Sequence, residues 1–161
     1  MTENAHLEDG DLKALFAEAR RLLDRGEAAR ALSVAKELIQ NHPDSVQAHF
    51  LAGIAARQDG DVEHAIVFLK RAARLAPQEA ELWFHLANAE RHGGDLEAAI
   101  ASYGKARSIA PGVASVAINL AGLLVLQGQA YEALKIAQEA AELAPESCAA
   151  FRPRCQRSGT R

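Results

Sequence analysis

The stretch AELWFHLANAERHGGDLEAAIASYGKARSIAPGV, residues 80–113, decides the fold, because the rest of the chain repeats it imperfectly every 34 residues. Three ladders share that interval. Pro43, Pro77, Pro111 and Pro145 form one, Gly26, Gly60, Gly94 and Gly128 the second, and Ala31, Ala65, Ala99 and Ala133 the third. Agreement on one period marks a stack of like supersecondary units rather than a single irregular core. Each unit has a local logic. Apolar residues recur at three and four, as Leu12, Leu15, Phe16, Ala19, Leu22 and Leu23 do in the first unit, and this is the stripe of an amphipathic helix. The glycine ends that helix in a left-handed conformation, a second helix follows, and the proline stops it by lacking an N–H and by its ring's clash with the preceding turn.

Residues 80–113 resemble a tetratricopeptide repeat. The family pattern of Trp, Leu-Gly, Tyr, Ala, Phe, Ala and Pro falls here on Trp83, Leu86-Ala87, Glu90, Ala99, Tyr103, Ala106 and Pro111, with Glu90 the clear departure. The resemblance extends over residues 12–147 as four repeats, 12–45, 46–79, 80–113 and 114–147. It implies an all-α chain, a right-handed α-solenoid of four antiparallel helix–turn–helix hairpins. Within it, helices are expected near 46–59 and 62–75, with Asp61 and Asp95 as helix caps and Gln129 a weaker one. The small residues Ala19, Gly53, Ala87 and Ala121 mark close helix crossings. Residues 1–11 are expected to be a flexible acidic leader. Residues 148–161 are expected to be a short helical stub, beginning a fifth unit at Phe151 and broken at Pro153, with a disordered basic tail.

Composition narrows the function. The chain has 161 residues, 49% of them apolar and 24% charged, with only 5% aromatic, which suits helices packed through small side chains. A net charge of −3 supplies no global positive field, so nucleic acid is not expected as a partner. No run reaches the length of a membrane span, and the start lacks a secretory signal's cationic and apolar regions, so a cytoplasmic location is expected. Cys148 and Cys155 match no zinc or redox spacing and are expected as free thiols.

No catalytic constellation emerges. Gly104-Lys105 lacks the rest of a phosphate loop, and neither GxGxxG, HExxH nor GxSxG occurs. Glu81 and His85 lie one helical turn apart, but His92 is ~10 Å further along at 1.5 Å per residue, so one ion cannot take both histidines. The expectation is a non-enzyme with no metal and no cofactor.

A fourth ladder carries the functional reading: Phe16, Phe50, Phe84 and Ile118, also 34 apart. In tetratricopeptide arrays the first helices line a concave face, so the resemblance implies a row of apolar rungs along a groove. Arg20, Arg57, Arg91, Gln47, His85, Asn88 and Asn119 fall at other groove-type positions. Apolar rungs beside Arg and Asn suit an extended peptide, with hydrogen bonds for its backbone and carboxylates. Four first helices ~10 Å apart span ~40 Å, about a dozen extended residues. The alternative is that the phenylalanines only complete packing between neighbouring first helices. The two-carboxylate clamp of chaperone-tail binders is not matched, since its places hold Phe16, Arg20, Leu51, Glu81 and His85 in one frame. In the next frame they hold Phe50, Ile54, His85, Ser115 and Asn119.

The fourth repeat differs. Val125-Leu126 replace the polar pairs Arg57-Gln58 and Arg91-His92, leaving its first helix apolar nearly all round. A helix apolar on every face is usually covered on every face, so Leu123, Val125 and Leu126 are expected to form an association surface for a second copy or another domain. The leading expectation is a scaffold for a protein or peptide partner. Two others stand beside it: a recruiting arm resembling arrays that precede sulfotransferase or glycosyltransferase domains, and a self-associating module.

Overall fold

The computed structural model describes residues 9–143. Eight helices follow one another in this range: α1 (Asp9–Asp24), α2 (Ala28–Asn41), α3 (Val46–Gln58), α4 (Val62–Leu75), α5 (Ala80–His92), α6 (Leu96–Ile109), α7 (Ala114–Leu126) and α8 (Ala130–Leu143). Consecutive pairs pack as helix–turn–helix hairpins, so the chain is an all-α, tetratricopeptide-type α-solenoid. Helix α1 begins at Asp9, inside the stretch expected to be a leader. The expected stub and tail, with Pro145, Cys148 and Cys155, lie outside the described residues.

The turns follow the ladders. Gly26, Gly60, Gly94 and Gly128 all have positive φ, between 75° and 87°. The N–H one residue further on closes each helix end by bonding back to the carbonyl of Leu22, Ala56, Glu90 or Leu124. Asp61 accepts from the His64 N–H and Asp95 from the Ala98 N–H, so the two expected caps start α4 and α6. Ser45 caps α3 in the same way, accepting from the Ala48 N–H. Helices α2, α4 and α6 stop two residues before Pro43, Pro77 and Pro111. His42 and Ala76, directly before two of those prolines, have left helical geometry, at φ −135° and −130°.

The described residues form two compact units, one ending at Ile109 and the other beginning at Ala110. In the first unit, α1 to α5 share a core of Ala19, Leu22, Ala31, Leu51, Ala55, Leu69, Leu82 and Leu86, among others. Alanine is frequent in it because small side chains let axes approach. At Gly53 the approach leaves no room for a side chain: a Cβ there would lie 2.5 Å from Leu69 Cγ. Helix α1 meets α3 and α3 meets α5 directly, while no comparable contact joins α2 to α4 among the described residues. The first helices of these three hairpins are therefore closer to one another than the second helices are. In the second unit α7 packs antiparallel on α8, burying Leu120, Leu123, Leu124, Ala133 and Ile136.

Two departures from the repeat pattern are accommodated inside their hairpins. His49 occupies the place that Trp83 holds one repeat later, and it is buried. Trp83 donates its indole N–H to the Pro77 carbonyl at 2.9 Å, and His49 Nε2 donates to the Pro43 carbonyl at 2.8 Å. Both rings thus tie a first helix to the proline turn before it. Glu90, which stands where the family has Tyr, is only 3% exposed, and its Oε2 accepts the Ser102 hydroxyl at 2.6 Å across the α5–α6 hairpin.

Candidate functional site

The 34-residue spacing sets Phe16, Phe50 and Phe84 at equivalent places on α1, α3 and α5, the helices that approach one another. All three are half-buried. Phe16 borders a shallow cleft of about 350 Å³ with Leu12 and the α2–α3 turn residues His42, Pro43 and Ser45. Phe50 and Phe84 are linked through His85. The Phe50 ring lies 5.1 Å from the His85 ring and the Phe84 ring 5.5 Å from it, both edge to face. Phe84 continues the series edge to face with Tyr103 on α6, at 5.9 Å. The rungs therefore serve packing with part of their surface and leave part uncovered, a middle course between the two readings of the ladder.

His85 is the electrostatic centre of this group. Its Nε2 stands 3.8 Å from Glu81 Oε1 one turn earlier, beyond hydrogen-bond distance. Burial pushes its pKa below the ordinary imidazole value, the positive charge of Arg57 pushes the same way, and Glu81 opposes both. The ring is thus neutral near pH 7. His85 Nδ1 and Arg57 Nε are shielded from solvent and have no hydrogen-bond partner. Arg57 is half-buried, whereas Arg20, Arg91 and Gln47 are exposed. None of these three arginines takes a carboxylate partner among the described residues, although Arg21, Arg30 and Arg71 pair with Glu18, Glu27 and Asp44.

Asn88 is more committed than its groove-type position implies. Its Oδ1 accepts the Tyr103 hydroxyl at 2.6 Å, leaving the two amide N–H donors and one lone pair of Oδ1 for a ligand. Tyr103 is fully buried, and burial raises its pKa. His92 turns back to the Asn88 backbone carbonyl at 2.6 Å. Among the described residues no three His, Cys, Asp or Glu side chains gather as a metal would require, and no helix is long and apolar enough to cross a membrane.

In the second unit Ile118 is 41% exposed and Asn119 half-buried. The expected association surface needs correction at one member. Leu123 is 3% exposed, so it is a core residue of its hairpin, while Val125 and Leu126 are 59% and 72% exposed. Sequence reasoning missed Tyr131 and Leu134 on α8, which are also exposed. Tyr131 stands in the register of Ala29, Glu63 and Glu97, all exposed, and that correspondence was the available signal; Leu134 stands in the register of Leu32, which is buried, so periodicity pointed away from its exposure.

The tetratricopeptide repeat family model matches residues 16–80 and 68–114, more than half of the chain, and the chain belongs to that family. Among solved structures, a crystal structure of MamA is similar at 23% identity, over 86% of this chain and 81% of that one, with a TM-score of 0.80. A MamA fragment, 41 to the end, from Desulfovibrio magneticus RS-1 is similar at 20% identity, over 85% and 77%, with a TM-score of 0.78. MamA AMB-1 is similar at 22% over 94% and 85%, with a TM-score of 0.74. At these identities the likeness is one of fold. No curated protein matches the sequence.

Proposed function

We propose that this protein is a non-catalytic interaction scaffold that holds an extended peptide or partner segment against its first helices. The observation that carries the reading is the half-buried aromatic series of Phe50, His85 and Phe84, set on helices that approach one another and that also carry Arg57 and Arg91, which take no carboxylate partner among the described residues. Aromatic side chains offer large contact area at low entropic cost, and binding energy concentrates on such residues near the centre of an interface. A cytoplasmic setting suits the reading. The test is selection of an immobilised random dodecapeptide library on the protein. Peptides that bind the wild type and lose binding to the Phe50→Ala/Phe84→Ala double variant, itself checked for a cooperative melt, support the groove. Binding that is indifferent to both rings refutes it.

A second reading rests on the second unit. Val125, Leu126, Tyr131 and Leu134 expose apolar surface on one helical hairpin, which favours self-association there. Light scattering across a concentration series tests it: a mass that stays monomeric throughout ends that reading.

A further inference from the structure

Resting on the self-association reading, we propose that α8 docks a second copy of this chain, α8 against α8 in antiparallel order, as a closed dimer. The first unit shows how one hairpin covers another. On α5, Leu82, Leu86, Ala89 and Gly93 recur at spacings of four, three and four, which places them on one stripe of the helix. A Cβ on Gly93 would lie 3.3 Å from Ile66 Cδ1 and 3.4 Å from Val62 Cγ1, so this stripe meets α4 of the preceding hairpin. Val62 and Ile66 belong to a matching stripe on α4 with Leu69 and Ala73, and none of the four is exposed. The same register on α8 reads Ala130, Leu134, Ala137 and Ala141. There Ala130 is exposed and Leu134 is 58% exposed, with Tyr131 beside them at 88%. Helix α8 thus carries the stripe by which a second helix receives the next first helix, and among the described residues no first helix follows it.

Two observations select the same stripe of a second copy as the occupant. First, α1 is not built to cover it. The α5 stripe falls on Ala14, Glu18, Arg21 and Arg25 of α1, where Arg21 Nη2 and Glu18 Oε2 form an ion pair at 3.2 Å. Stacking α1 of one copy on α8 of the next would press these charges onto Leu134, and charged groups taken out of water against an apolar face are costly. An open-ended string of copies is therefore disfavoured. Second, the α8 stripe complements itself. In antiparallel order about a two-fold axis between residues 135 and 136, Leu134 of each copy lies over the partner's Ala137, and Ala130 over the partner's Ala141. Each large side chain thus meets a small one, and the alanines of the stripe let the axes approach to the close limit of ~8 Å. Tyr131 flanks the stripe and adds an aromatic side chain to the contact. A fifth first helix of the chain itself is a poorer occupant, because Pro153 would fall inside it at the register of His85.

Sedimentation velocity across a concentration series tests the pairing. The wild type should pass from one copy to two and stop there. Leu134→Lys and Ala137→Glu should each weaken the dimer by at least about tenfold, since a charge would then be held against an apolar residue of the partner. An equimolar mixture of the two variants should dimerise again, because the new ammonium meets the new carboxylate on one side of the axis while Leu134 and Ala137 still meet on the other. Circular dichroism melts check that each variant folds; should Ala137→Glu, at a half-buried position, fail to melt cooperatively, Leu134→Lys at its exposed position decides alone. A mass of one copy at every concentration overturns the self-association reading and this pairing together. A mass that grows past two copies, a dimer that survives Leu134→Lys, or two folded variants that stay monomeric when mixed overturns the α8 pairing and leaves self-association standing.

Discussion

Replacing Ser102 with Ala should expose how a charged residue survives inside this fold. Glu90 is 3% exposed, and the Ser102 hydroxyl donates to it at 2.6 Å. Burial raises the Glu90 pKa above the ordinary carboxyl value; the Ser102 bond is the largest influence pulling it back, with Lys70 and Lys105 assisting and Asp95 opposing. Ser102→Ala removes a donor to a buried charged group, a loss of about 1–3 kcal/mol. At ~2–4 °C per kcal/mol for a chain of this size, the melting midpoint should fall by roughly 2–12 °C. The loss should depend on pH. A carboxyl whose folded pKa lies above its unfolded one contributes stability that is full below the unfolded pKa and is lost as pH rises through the folded pKa. Without Ser102 that folded pKa rises further, so the variant should lose more near pH 8 than near pH 4, to either side of the ordinary carboxyl value of 4.5. Circular dichroism melts at both pH values, repeated in a Glu90→Gln background, check this. Gln retains an acceptor without the charge, so Ser102→Ala should cost less there and the pH dependence should vanish. Equal losses at both pH values, or equal losses in both backgrounds, would refute the reasoning.

Gly53→Ala should destabilise by about 1–3 kcal/mol, because its new Cβ would meet buried Leu69 Cγ at 2.5 Å. Gly104→Ala, on α6 with nothing within 4 Å of its Cβ, should stabilise by up to about 1 kcal/mol through helix propensity, and denaturant midpoints of the pair separate crowding from propensity. Ala99→Leu should cost about 1–3 kcal/mol, since Ala99 is fully buried in the α5–α6 hairpin, and an unchanged melt would mean the hairpin register is wrong. For His85, burial holds the folded pKa below the ordinary 6.5, so the unfolded chain takes up the proton first. Stability should be full above about pH 6.5 and decline as the pH falls through the folded value, and His85→Gln should flatten that decline; parallel melting profiles would contradict it.

What could be read from the sequence alone has a physical boundary. Gly60, Asp61 and Pro77 act within a few residues of themselves, through a left-handed φ, a capping oxygen and a missing N–H, so their effects were legible in full. The Ala and Gly positions were legible too, because a crossing distance recurs with the period. The contacts joining residues twelve to fifteen apart were not. Nothing local marks Ser102 as the partner of Glu90, or Tyr103 as the partner of Asn88, since both depend on rotamers across the hairpin. Leu123 shows the other boundary. On a helix apolar nearly all round, periodicity cannot say which leucine faces the partner helix, and Leu123 proved buried while Val125 and Leu126 stayed exposed.

The departures from the repeat bear on how an array of this kind acquires selectivity. In a stacked array each hairpin is constrained mainly by its neighbours, so an irregular residue can be balanced nearby without disturbing the frame. His49 meets the turn carbonyl that a Trp would meet, and Glu90 draws a hydroxyl from its own hairpin. Packing positions therefore keep the period while polar positions drift apart. His85 and Asn88 belong to the drifting set, and no two repeats share that pair, whereas Arg57 recurs one repeat later as Arg91. The regular rungs would fix the reach and direction of a bound segment, because those properties follow from spacing. Which segment is accepted would follow from the side chains that do not repeat.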